Sequence, residues 1–445
     1  MSELIQEPMA KAPGAEAQPS STKSQSRKAG VAAFIGTVLE WYDFIIYGTA
    51  AALVLNKVFF PSVDPMMGTM AVFASYAVGF LARPLGGLIL GYVGDKYGRK
   101  VTLVSTLFLM GGATTLIGCL PTYASIGVAA PVLLVLLRLI QGFGAGGEYA
   151  GAVVLSVEHA QKGKRGAAGA WAPLGFAVAT LLANAVFFFF LAILSEEQFM
   201  AWGWRVPFLV GALCVLVGYL IRRNIEEPPT FEKAKEMAKT QKVGLFSAIK
   251  HHPKSFLIVI FTRMGENGFA YLYPVFCVSY LVNSMNFERS TALTAVLIAS
   301  AVQLFTIPFY GRLADSIGRK KVYLFGAVLS MVWLVPFFIM VGTGSMAAVI
   351  LGFVCGLGVA YPAMLTAQAS WYAELFDTEF RLAGFAFSRE LGSVLAGGLA
   401  PFIATALYTW AGHWWPIVVY MGFLGILTLI GLALGPETVH KDIDG

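Results

Sequence analysis

Of the 445 residues, 57% are hydrophobic and 13% are charged; a soluble domain carries about 25% charge, so the polar surfaces that several soluble domains would need cannot be built. The net charge of +6 does not point to nucleic acid, because the lysines and arginines sit in short loops between apolar blocks. Cys119, Cys214, Cys277 and Cys355 lie singly and the histidines are scattered, which indicates neither a metal site nor a disulfide framework. No GxxxxGK[ST] loop is present to cradle ATP, and no cofactor is expected.

Residues 1–29 are rich in Ala, Pro, Ser, Gln and Lys and read as a disordered cytoplasmic tail. No short apolar core with a cleavage site precedes the first span, so this tail is not read as a signal peptide. Twelve apolar blocks follow: 31–56, 67–93, 101–120, 126–157, 167–194, 203–221, 255–282, 291–313, 321–341, 345–373, 382–409 and 412–434. About 20 apolar residues span the hydrocarbon core as a helix. Lipid satisfies no backbone group, so only helices or a closed barrel can cross it, and the alternating segments of a barrel are missing. The polar stretch 222–254 divides the spans six and six. The expected domains are an N-terminal bundle over 30–221, a cytoplasmic linker over 222–254, a C-terminal bundle over 255–435 and a cytoplasmic tail over 436–445. The fold class is an all-α membrane protein with twelve transmembrane helices in two six-helix bundles.

Charge orients the bundle. The tail, the even-numbered loops and the C-terminus hold 24 of the 31 Lys/Arg, the opposite side holds Lys57, Arg205 and Arg289, and Arg83, Arg138, Arg263 and Arg389 fall within spans. The positive-inside rule then places both termini in the cytoplasm.

The halves echo one another. Gly91-Tyr-Val-Gly94-Asp95-Lys96-Tyr-Gly98-Arg99-Lys100 follows span 2, and Gly311-Arg312-Leu-Ala-Asp315-Ser-Ile-Gly318-Arg319-Lys320 follows span 8, an offset of 220 residues. Glu158 stands seven residues before Arg165, and Glu374 seven before Arg381. Positive-inside topology explains the basic residues but not acids at repeated spacing. The pattern predicts two pseudo-symmetric halves and two cytoplasmic ionic gates, Asp95/Arg99/Glu158/Arg165 and Asp315/Arg319/Glu374/Arg381, that latch one conformation.

The repeated loop and the Arg138-x-x-Gln141-Gly142-x-Gly144 run resemble the major facilitator superfamily. Glu40-Trp41-Tyr42-Asp43-Phe44, Arg83-Pro84-Leu85-Gly86-Gly87, Gly146-Gly147-Glu148-Tyr149 and Trp202-Gly203-Trp204-Arg205-Val206-Pro207-Phe208 are similar to stretches of its metabolite:proton symporters. That family includes carriers of shikimate, citrate, 2-oxoglutarate, dicarboxylates, aromatic acids and proline/betaine. The resemblance covers about 30 to 437 and implies proton-driven transport by alternating access, with no enzymatic activity and no specification of the cargo.

Ionisable groups inside a membrane are functional hypotheses by default. Glu40, Asp43 and Tyr47 share one helical face in span 1, as do Arg138, Gln141 and Glu148 in span 4. Both stripes are expected to line a central, water-accessible cavity. Asp43 is the expected proton carrier with Arg138 as its partner, and Glu40 and Glu148 are further proton-coupling groups; the plainer reading is an ion pair that locks spans 1 and 4. Arg83, just before Pro84, fits close packing as well as transport chemistry.

Span 7 carries Arg263, Glu266 and Asn267 on one face, then Tyr271, Tyr273 and Pro274, where a proline can break the helix and free backbone groups. Span 10 places Tyr361 and Gln368 a heptad apart. Arg389-Glu390 lies about 12 Å into span 11 at 1.5 Å per residue. An Arg fork matches a carboxylate, so the expected binding set is Tyr47, Gln141, Arg263, Glu266, Asn267, Tyr361, Gln368 and Arg389. Alternatively Arg263 pairs with Glu266, and Arg389 with Glu390 or Glu266; adjacent helical residues diverge by about 100°, which leaves Arg389 partly free.

The resulting expectation is a proton symporter of a small carboxylate metabolite, a monomer in the bacterial inner membrane, with protons and lipid as its other partners and no nucleic acid. Zwitterionic osmolytes are the first rival cargo, since aromatic cages hold quaternary ammonium. Such carriers often have long C-terminal coiled-coil tails, and here the chain ends soon after Pro436-Glu437. A drug exporter needs an apolar cavity, which four intramembrane arginines oppose. No nucleophile–base or metal constellation supports a membrane enzyme or sensor.

Overall fold

A computed structural model describes residues 23–97, 99–146, 148–223 and 245–441, without the side chains of 23–24, 91–92, 94–103, 214, 217–219, 221–223 and 245–246. Asp95 and Arg99 of the first expected gate therefore lie outside the described side chains. The chain folds into α1 (Lys23–Leu53), α2 (Pro65–Tyr97), α3 (Arg99–Cys119), α4 (in two segments, Ala129–Gly144 and Glu148–Glu158), α5 (Arg165–Ile193) and α6 (Val206–Arg223). The second half comprises α7 (253–283), α8 (Arg289–Ile317), α9 (Arg319–Gly342), α10 (Met346–Glu374), α11 (Arg381–Ala411) and α12 (Trp415–Leu434). Nine of these helices, as described, are long and apolar enough to cross a membrane by themselves. Among the remaining three, α7 is depleted in apolar residues because Arg263, Glu266 and Asn267 occupy its middle, and all three are buried against protein. Large apolar side chains such as Leu213, Phe305, Val332 and Phe423 are exposed, as a lipid-facing surface requires.

Within the first half α1 packs on α5, α2 on α4 and α3 on α6; within the second α7 packs on α12 and α9 on α10. The halves meet along α5–α8 and α2–α11, with α1 against α7 and α4 against α10 and α11. Glycine sets the closest approaches. A Cβ on Gly142 would stand 1.8 Å from the Gly79 carbonyl oxygen, and one on Gly86 1.8 Å from that of Phe143, so α2 and α4 cross backbone to backbone.

The C-terminal half contains three wide π-helical turns, Leu272–Cys277, Val354–Ala360 and Ser393–Gly398, in α7, α10 and α11. Pro274 lies within the first, and Pro362 and Pro401 open the α-helical segments after the others. Proline has no N–H and its ring crowds the preceding turn; widening that turn absorbs the misfit. The helix break expected at Pro274 is thus a local widening, and α7 continues to Asn283.

Candidate functional site

The midsection gathers charged groups from both halves, and none of Glu40, Asp43, Tyr47, Arg83, Arg138, Gln141, Arg263, Glu266, Asn267, Tyr361, Gln368, Arg389 and Glu390 is more than 4% exposed. Isolated buried charges are expensive, so their pairing decides whether such a core can exist.

The first group joins the halves. Arg83 of α2 donates from Nε to Glu390 Oε2 of α11 at 2.6 Å and from Nη2 to Oε1 at 3.3 Å. Its Nη2 also reaches Glu40 Oε1 of α1 at 3.2 Å. Arg389 Nη1 donates to Glu390 Oε1 at 2.6 Å, so the adjacent residues of α11 pair directly. The expectation that helical divergence leaves Arg389 partly free is overturned for this nitrogen, because flexible side chains reach along the helix surface. Neither does Arg389 use Glu266.

Glu266 belongs to a second group confined to the C-terminal half. Arg263 donates from Nη1 to Glu266 and to Gln368 Oε1 (3.2 Å), and from Nη2 to Asn267 Oδ1 and Ser393 Oγ, both at 2.8 Å. Gln368 returns a bond to Glu266 Oε1 at 3.0 Å. Tyr361 lies outside this network, edge-on to Phe176 of the other half with ring centres 6.1 Å apart.

Arg138 forms a third group. It donates to Gln141 and to the Tyr76 carbonyl (3.3 Å), and its guanidinium lies 4.0 Å from the centre of the Tyr47 ring and 5.0 Å from that of Tyr76. Tyr47 hydroxyl and Ser75 Oγ are 2.5 Å apart, and Gln141 Nε2 donates to Thr114 Oγ1 at 2.8 Å and to the Asp43 carbonyl at 3.2 Å. Among the ion pairs of the described residues none joins Arg138 to a carboxylate. The expected Asp43–Arg138 pair is therefore absent: Gln141 and the tyrosine rings occupy the guanidinium. Asp43 instead faces a cavity of about 10 Å³ lined also by Leu39, Glu40, Leu107, Met110 and Glu148, close to the size of one water position. Asp43 Oδ1 and Glu40 Oε2 are buried without a hydrogen-bond partner.

Around Trp41 the donors exceed the acceptors. Trp41 Nε1, Arg83 Nη1, Arg389 Nε and the hydroxyls of Tyr149 and Tyr271 are all buried without an acceptor. Arg83 lies 5.6 Å and Arg389 6.0 Å from the Trp41 ring, Tyr149 and Tyr271 are both 6.5 Å from it, and Arg389 lies 3.9 Å over Tyr149. Tyr271 reaches from the second half into rings of the first, Tyr76 at 5.7 Å and Phe80 at 5.2 Å. A buried donor without a partner loses about 1–3 kcal/mol, so this is a donor-rich, ring-walled site shared by α1, α2, α4, α7 and α11.

Both ends of the bundle are tied. At the end holding Lys23 and Lys441, Arg381 Nη1 donates to Glu158 at 2.8 Å, and Asp315 accepts the Gly166 and Ala167 N–H groups at 2.7 and 2.9 Å. Arg319 binds Asp315 at 2.9 Å and Glu374 at 3.1 Å, and Arg165 lies 4.0 Å from Glu374. The ties thus exchange partners between halves, with Glu158 and Arg165 facing second-half residues, where two networks separated by half were expected. The end of α8 packs on the start of α5 and the end of α4 on the start of α11, which produces the exchange. At the other end Arg289 donates to Glu196 at 2.9 Å. Among the described residues the expected open hollow does not surround these charges: complementary groups from the two halves close on one another at the midsection.

Sequence reasoning left Arg83 and Glu390 out of the binding and coupling sets, and with them the ring wall of Trp41, Phe44, Tyr76, Phe80 and Tyr149. The signal was present in Arg83, an intramembrane arginine, but its partner is 307 positions away in the chain.

The comparisons agree with this architecture. Residues 28–245 match the family model described as sugar (and other) transporter, and 256–443 match that of the major facilitator superfamily. The chain is 38% identical to the shikimate transporter of Escherichia coli (strain K12) over 401 residues, covering 89% of this chain and 92% of that protein. It is 33% identical to the glycine betaine/proline/ectoine/pipecolic acid transporter of Dickeya dadantii (strain 3937), covering 94% and 85%. The fold is similar to the partially occluded inward-open xylose transporter of E. coli, with a TM-score of 0.72 at 18% identity over 94% of this chain and 100% of that one. With its twelve-helix fold and these relatives, the chain belongs to the major facilitator superfamily and is a membrane transporter, not an enzyme.

Proposed function

We propose that this transporter carries a small organic acid together with protons, by alternating access across a bacterial inner membrane with both termini in the cytoplasm. The observation that carries the reading is the set of buried donors without acceptors around Trp41, held by both halves. A carboxylate with neighbouring oxygens supplies the missing acceptors, and guanidinium groups match it by charge and shape. Arg138, with Tyr47, Ser75 and Gln141 beside it, offers a further cationic contact without a resident carboxylate. The relative that carries shikimate bears an acid of this kind in its name.

Proton coupling is assigned to Asp43, with Glu40 and Glu148 on the same small cavity. A carboxylate that alternates between this enclosed place and water can bind and release a proton as the halves rock. The gates at the two ends would open in turn. The twelve spans and the basic residues on the terminal side support the orientation.

Uptake into proteoliposomes with an imposed pH gradient tests the reading, using radiolabelled shikimate, succinate, glycine betaine and proline. Accumulation of an acid that collapses with the gradient is expected. Accumulation of betaine or proline with neither acid taken up would overturn the cargo assignment. That second reading draws on the aromatic walls and on the betaine-transporting relatives. Against it, rings of this wall are already faced by arginines, among them Phe44 by Arg83, Tyr47 by Arg138 and Tyr149 by Arg389. A quaternary ammonium would meet like charge there.

A further inference from the structure

We propose that Glu390 is a resident stand-in for the cargo's carboxylate: in the empty transporter it occupies the arginine pair that the cargo takes over, which lets the halves close with nothing bound. The inference rests on the reading that the cargo bears a carboxylate, and it names the side chain with which that cargo competes.

The geometry is that of a bound ligand. Glu390 engages Arg83 of the opposite half through both oxygens and Arg389 through one. The two-oxygen grip on Arg83 is the recognition that an arginine fork gives a substrate acid. Glu390 is faced by Glu40 from α1, Arg83 from α2, Arg263 from α7 and Arg389 from its own helix, with Tyr149 of α4 against Arg389 and Tyr271 of α7 near Arg83. Arg83 and Arg389 are balanced by Glu40 and Glu390, two cations against two anions. Without Glu390, closing the halves would bury an excess cation, and an uncompensated buried charge is strongly unfavourable. Glu390 cannot satisfy the site completely, since Arg83 Nη1 and Arg389 Nε remain without acceptors. A cargo with additional oxygens can use them, and so displaces an occupant that is always present at high local concentration.

An empty symporter must reorient to complete net uptake, whereas exchange of cargo for cargo uses only loaded states. Glu390→Gln should therefore separate the two activities. The expected result is gradient-driven accumulation lowered by about tenfold or more, with counterflow exchange kept within about twofold. Equal loss of both, or loss of neither, would overturn the inference. Shikimate, succinate and betaine serve as probes. If betaine alone is carried, the proposed function falls, yet the same split still tests Glu390 because betaine also has a carboxylate.

A cargo-free measurement decides the matter directly. Spin labels at Lys162→Cys with Glu379→Cys, and separately at Ser62→Cys with Thr343→Cys, report closure at the two ends in a background with the four native cysteines changed to serine. Glu390→Gln should lengthen the distance in at least one pair, and Arg83→Gln with Glu390→Gln should restore closure because one cation then faces one anion. Unchanged distances in the single variant, or a double variant as open as the single, would overturn the inference. If Glu390→Gln does not fold, Glu390→Asp replaces it: its shorter side chain keeps the charge but cannot hold both arginines, so wild-type distances at both ends would be equally fatal.

Discussion

Glu390 grips Arg83 across the boundary between the halves, with both carboxylate oxygens on one guanidinium at 2.6 and 3.3 Å. The contact joins positions in α2 and α11 and sits beside Glu40 and Arg389. It makes the midsection an interface of compensating charge, so charge changes there should act on movement between the halves more than on the integrity of either.

Asp43 has one carboxylate oxygen without a partner and faces a cavity near the size of one water. Asp43→Asn keeps the shape and removes the titration. Gradient-driven accumulation in proteoliposomes should vanish while counterflow exchange persists. Full accumulation by the variant would remove Asp43 from proton coupling.

Arg138 rests 4.0 Å over Tyr47 and donates to Gln141. Arg138→Lys keeps the charge but loses the planar fork that stacks and bonds at once. The apparent KM for the acid should rise by about tenfold or more with smaller change in the maximal rate, the mark of lost binding common to ground and transition states. An unchanged KM in concentration-dependent uptake would exclude cargo contact.

Arg381 and Glu158 tie the terminal-side gate at 2.8 Å. Glu158→Arg should weaken it and increase thiol labelling of a cysteine placed just inside that end. The swap Glu158→Arg with Arg381→Glu should bring labelling back toward wild type, as expected for coupled partners. No recovery in the swap would show that the pair does not act as a latch.

Gly142 has no room for a side chain, since an added Cβ would stand 1.8 Å from the Gly79 carbonyl oxygen. Gly142→Val should force α2 and α4 apart and lower the thermal midpoint of the detergent-solubilised protein by several degrees, because overpacking costs about 1–3 kcal/mol or more. Gly112→Ala, where nothing lies within 4 Å of the added carbon, should leave the midpoint nearly unchanged.

The helical architecture was legible because spanning segments must be long, apolar and internally hydrogen-bonded. The Arg263–Glu266–Asn267 face was legible for a related reason: its members lie one helical turn apart, and the structure places them in one network with Gln368. Partnerships between helices were not. Glu40 and Asp43 share a face of α1 and line the same small cavity, yet Glu40 also meets Arg83 while Asp43 pairs with no arginine among the described residues, and local periodicity cannot distinguish these fates. Arg138 looked like a carboxylate's partner because charge alone was considered, whereas the packing of Tyr47 and Tyr76 determines where its guanidinium lies. The gates show the same limit: the acids and arginines repeat in sequence, but the packing of α4 against α11 decides that Glu158 meets Arg381.

The three wide turns at Leu272–Cys277, Val354–Ala360 and Ser393–Gly398 all lie in the C-terminal half. A helix with a π turn has a joint at which its two ends can be angled separately. The two bundles are therefore articulated differently, the C-terminal one at three wide turns and the first, among its described residues, where α4 leaves the regular helix after Gly144. Motion of the C-terminal half can divide into segments, so the two doorways need not be worked by a single rigid swing.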